Sequence, residues 1–102
     1  MTRIDPDRIQ LRNPDSSKRA TQVAGDTYAL ARRTVLEVVP AEEPGITLEA
    51  YLAEMKSRLP NVSGWDASLS SGWYAMAMKL DLEARGELKR INRTPPQRLV
   101  RS

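Results

Sequence analysis

At 102 residues the chain suits a single domain with a modest core. It contains no histidine and no cysteine, which removes Ser-His-Asp triads, thiol nucleophiles, disulfides and the usual zinc ligand sets. Sixteen Lys and Arg against 13 Asp and Glu leave a net charge of +3, too small to name a partner.

The charge is unevenly spread. Residues 85–102 carry six basic side chains and only Glu87 as an acid, so the basic end is the electrostatic feature to follow. No apolar run approaches the ~20 residues needed to span a bilayer. Asp5, Pro6 and Asp7 stand where a signal peptide needs an apolar stretch. The expectation is a cytoplasmic protein with no membrane partner.

In chain order, residues 1–24 are rich in turn formers, including Pro6, Pro14 and Asn13-Pro14-Asp15-Ser16-Ser17. They read as an irregular N-terminal arm, with short extended pieces near Arg8–Arg12 and Thr21–Val23. Residues 25–102 read as one domain. Its first helix spans 26–39, capped by Asp26 and stopped by Pro40, with Tyr28, Ala31, Val35, Leu36 and Val39 as the apolar stripe. The second helix spans 47–59, with Thr47 as N-cap and Leu48, Leu52, Met55 and Leu59 on one face. Pro60 ends it, and a loop of about ten residues follows.

The third helix is expected over 70–85, with Ser70 or Ser71 as cap and Gly86 as the left-handed stop. Helical spacing predicts Trp73, Met76, Ala77, Leu80 and Ala84 as its buried stripe. Leu52, Met55, Trp73 and Leu80 are then expected to meet in the core. Met78 falls off that stripe and is expected to join an exposed dimer patch with Tyr74 and Trp65. Two strand-length pieces around Asn92-Arg93-Thr94-Pro95-Pro96 predict a hairpin over 87–101. Leu88 and Ile91 cannot share a face of a regular strand, so a twist or bulge is expected there.

Three helices followed by a two-stranded ribbon make an α+β, mainly helical chain in the order of a winged helix. The run Leu80-Asp81-Leu82-Glu83-Ala84-Arg85-Gly86-Glu87-Leu88-Lys89-Arg90 resembles a recognition helix entering its wing in bacterial winged-helix regulators. More closely, the chain resembles a small family of uncharacterised bacterial proteins of this length. That resemblance rests on Pro44-Gly45-Ile46-Thr47, Gly72-Trp73-Tyr74, the Leu80–Gly86 run, and Pro96 with Arg98. It covers roughly residues 20–101 and implies a winged helix-turn-helix-like core with a C-terminal wing. It implies no activity, because no function is settled for that family.

The winged-helix order suggests where duplex DNA would be touched. Ser70, Ser71, Tyr74 and Lys79 on the third helix would face a groove, with Ser68 just before them. Lys89, Arg90, Arg93 and Arg98 on the wing would neutralise phosphates. The same basic residues also serve a solvated sheet edge without any ligand. Between Trp65 and Leu80 there is no Arg, Asn or Gln to read base edges, so any DNA binding is expected to be weak and tolerant of sequence. The alternative is a protein-interaction module or homodimer of the same fold. Asp81 and Glu83 are expected in solvent on the third helix, and the five glycines are too dispersed for a phosphate loop. No catalysis, metal or cofactor is expected.

Overall fold

The computed structural model describes residues 7–15, 21–91 and 96–102. Two strands open it, β1 (Arg8–Gln10) and β2 (Gln22–Ala24), paired antiparallel with Ile9 opposite Val23. Helix α1 (Gly25–Val38) follows directly. Its N-cap is Ala24, without a side-chain cap, rather than Asp26. The hairpin explains the difference: Asp7 O accepts from Gly25 N at 2.6 Å, so backbone does the capping. Asp26 instead sits in the first turn, where its charge suits the helix dipole. At the other end Val39 is extended ahead of Pro40, as Pro requires.

The two-residue strand β3 (Ile46–Thr47) leads into α2 (Leu48–Arg58). Thr47 Oγ1 accepts from Ala50 N at 3.1 Å, the expected N-cap. A 3-10 turn over Leu59–Asn61 takes Pro60 near its start. Helix α3 (Ser71–Ala84) is capped by Ser70, whose Oγ accepts from Trp73 N at 3.1 Å. Gly86 closes it at φ +80, with Gly86 N bonded to Glu83 O and Glu87 N to Leu82 O. That is a Schellman stop, which glycine's freedom at positive φ permits.

Strands β4 (Leu88–Ile91) and β5 (Arg98–Arg101) form the ribbon, and β3 adds to β5, giving the sheet order β3-β5-β4. The register runs unbroken from Leu88 opposite Arg101 to Ile91 opposite Arg98. The expected bulge is therefore absent from the described strands. Leu88 turns inward and Ile91, half-buried, takes the other face. The turn carrying Arg93 lies outside the described residues. Gly45 is held against this sheet at φ +77, where a Cβ would come within 2.3 Å of Leu99 O.

The core joins Ala31 and Val35 of α1, Tyr51 and Met55 of α2, Ala75, Met78 and Leu82 of α3, and Leu88 and Leu99 of the ribbon. Leu11, just after β1, and Val23, in the middle of β2, are buried with them. Tyr51 donates its hydroxyl to Ala75 O at 2.7 Å, tying α2 to α3 without leaving a polar atom unpaired.

One face is not where periodicity put it. On α3 the buried residues are Tyr74, Ala75, Met78, Lys79, Asp81 and Leu82. Trp73 and Met76 are 45% and 38% exposed, and Leu80 is only half-buried. Of the quartet expected to meet in the core, Met55 alone is fully buried, and Leu52 packs at its margin. The methionines exchange roles, with Met78 inside and Met76 outside. Tyr74 is inside too, so the patch expected from Met78, Tyr74 and Trp65 does not form. Apolar side chains surround most of α3, leaving two stripes available, and polar partners decide between them.

Candidate functional site

The deciding residue is Asp81, fully buried although solvent was expected to surround it. Its Oδ1 accepts from Arg12 N at 2.8 Å, and its Oδ2 from Tyr28 Oη at 2.6 Å. Arg85, one turn further along α3, donates Nε to both oxygens at 3.0 and 2.9 Å. The Arg85 guanidinium also reaches Gln10 O at 3.1 Å and lies 5.6 Å from the Tyr28 ring centroid. Burial, the bond to Asp81 and its negative charge push the Tyr28 phenol well above its ordinary value. This cluster fastens the opening hairpin to α1 and α3. Every bond to Asp81 stabilises one fixed geometry.

A second cluster lies further round α3. Lys79, 2% exposed, places Nζ 3.1 Å from Glu83 Oε1. Arg90 reaches the same carboxylate from the ribbon, Nε to Oε1 at 3.3 Å and Nη2 to Oε2 at 3.2 Å. Arg32 on α1 is similarly bonded to Glu87, just before β4.

These contacts sort the residues proposed for DNA. Lys79 is buried against Glu83 and presents no charge to a ligand. Tyr74 is buried too, edge-on to Trp65 at 5.1 Å and to Trp73 at 4.9 Å between ring centroids. Ser70 is occupied as the cap, Ser71 is half-buried in the first turn, and Ser68 is held by Asp66. The two bonds from Ser68, backbone first, keep the Asp66 carboxyl below its ordinary range. On the C-terminal ribbon, the pleat puts Lys89 and Arg98 on one face and Arg90 on the other, which is also the face of Leu88 and Leu99. Arg93 lies outside the described residues. Only Lys89, exposed, and Arg98, half-buried, are brought together as a basic pair.

The outer face of α3 has a different character. Trp73, Met76, Ala77 and Leu80 run along it, and Leu11 and Arg12 of the opening segment form a groove beside them of about 210 Å³. Trp73 and Met76 are the exposed large hydrophobic residues among the described ones. Sequence periodicity had picked out the stripe and misassigned its destination.

Among the described residues, no group of three acidic side chains is placed to hold a metal ion, and no helix is long and apolar enough to cross a membrane. Residues 8–99 match the profile of a family of unknown function. The chain belongs to DUF6958. No curated protein and no solved structure matches it. The match begins at β1, so the DUF6958 unit takes in the opening hairpin that Asp81 and Arg85 hold in place.

Proposed function

We propose that this DUF6958 chain is a non-catalytic, winged-helix-type interaction module whose working surface is the outer face of α3. The winged-helix reading draws on the order α1-β3-α2-α3-β4-β5 and on the ribbon that follows α3. The interaction reading draws on one observation above all: Trp73 and Met76 stand exposed on a single helix face. The occupant that suits them is an apolar protein surface, because Trp73, Met76, Ala77 and Leu80 make up the face and its charges, Arg8, Arg12 and Asp66, lie at its borders.

A second reading keeps weak phosphate binding by the wing, favoured by Lys89 and Arg98 on one face of the ribbon. It gives low affinity, little sequence preference and a steep loss with salt. A photo-reactive amino acid placed in turn at Met76 and at Lys89 separates the two. The interaction reading expects covalent adducts to protein from position 76 and none to nucleic acid from position 89. Nucleic-acid adducts from 89, with position 76 silent, would reverse the order of the two readings.

A further inference from the structure

We infer that the hollow between the opening hairpin and the first turn of α3 binds a small zwitterion with an apolar side chain, in chemical class a free α-amino acid. The inference goes beyond the interface reading and does not depend on it.

The hollow measures about 530 Å³, and Arg8, Val23, Asp66, Ser70, Trp73 and Tyr74 are among the residues that line it. Small-molecule sites span ~300–1,000 Å³ and combine apolar walls with a few placed polar groups.

Tyr74 carries the argument. It is 7% exposed, and its ring is held edge-on to both Trp65 and Trp73. Tyr28 and Tyr51 spend their hydroxyls on Asp81 and Ala75 O. The Tyr74 hydroxyl has no such partner among the described residues. No polar side-chain atom sealed from solvent lacks a partner there, so this hydroxyl opens on the hollow that Tyr74 lines. A nearly buried tyrosine with an unspent hydroxyl is suited to a ligand's acceptor.

Charge selects the ligand class. Arg8 Nη2 bonds Gln22 O at 3.2 Å, which steadies the guanidinium at the rim with donors to spare. Its charge bears on the Tyr74 phenol, opposing the larger upward effect of burial. The start of α3 adds to the positive side. Ser70 occupies the N–H groups of Trp73 and Tyr74, and those of Ser71 and Gly72 fall outside the helical ladder. Lys56 lies against Gly72 on the same turn. These groups suit a carboxylate. Asp66 lines the same hollow. Its bonds from Ser68 keep it ionised, so it repels a phosphate and attracts an ammonium. Two signs in one hollow suit a zwitterion, and Val23, Leu69 and Trp73 suit its apolar side chain.

Heteronuclear NMR of the full chain, titrated with L-phenylalanine and L-leucine to about 20 mM, tests the proposal. Amide shifts at Ser70–Tyr74 should saturate with a dissociation constant on the order of 1 mM or tighter, ordinary for about a dozen heavy atoms. Tyr74→Phe should weaken binding about tenfold, the usual loss of a hydrogen bond to a charged group. It should not lower the melting temperature, because the hydroxyl bonds nothing in the free chain. Arg8→Gln and Asp66→Asn should each weaken binding several-fold. Phenylalanine amide and N-acetylphenylalanine, each lacking one charge, should bind about tenfold more weakly. No saturable shift at Ser70–Tyr74 with either amino acid overturns the inference. So does full affinity in Tyr74→Phe, or a melting temperature lowered by that change. Equal affinity for the blocked derivatives or for inorganic phosphate overturns the zwitterion.

Discussion

The two sides of α3 invert the usual arrangement: charged side chains are packed on one side and large apolar ones are exposed on the other. Its inner side buries Lys79 and Asp81 with Tyr74, Met78 and Leu82, while its outer side leaves Trp73 and Met76 in solvent. Burying a charge is costly unless it is paired and hydrogen-bonded. Both inner charges meet that condition: Asp81 by Arg12 N, Tyr28 and Arg85, and Lys79 by Glu83. The outer side has no such partners and keeps its apolar side chains available. A helix can thus offer an apolar surface without loosening the core, provided that the polar residues it buries are satisfied.

The comparison breaks most sharply at Asp81. Asp81→Ala removes the shared acceptor of three donors and leaves Arg85 beside a cavity. The expected cost is about 3 kcal/mol or more, a large share of the ~5–15 kcal/mol that holds a domain together. Urea unfolding followed by circular dichroism measures it. A loss under ~1 kcal/mol would mean that the carboxylate is solvated and the hairpin is held by other contacts.

A paired leucine test sharpens the same point. Leu82 is fully buried and Leu80 only partly, two residues apart on one helix. Leu82→Ala should cost ~2–5 kcal/mol, the usual range for a core leucine, and Leu80→Ala about 1 kcal/mol. Equal costs, or the reverse order, would return α3 to the orientation that periodicity alone suggests.

Helix limits were legible because their signals are local. Thr47, Ser70, Gly86 and Pro40 act within a turn of where they stand, and each does so here. The cap of the first helix was misassigned to Asp26 because Asp7, eighteen positions before Gly25, supplies the acceptor. The inner face of α3 was illegible for the same reason on a larger scale. The partners of Asp81 come from Arg12 and Tyr28, 69 and 53 residues away. The i,i+4 spacing of Asp81 with Arg85 and of Lys79 with Glu83 was the available hint. On an exposed helix the same spacing makes an ordinary surface pair, so it did not distinguish burial. The C-terminal ribbon was legible as such, but which of its basic residues share a face depended on the register. That register separates Arg90 from Lys89 and Arg98.

Methionine oxidation by dilute peroxide, read by mass spectrometry, tests the central claim most directly, because Met76 and Met78 report opposite sides of one helix. Accessible thioethers oxidise and enclosed ones do not. The account expects Met76 to oxidise at least tenfold faster than Met78. Equal rates, or a faster Met78, would contradict the inverted helix.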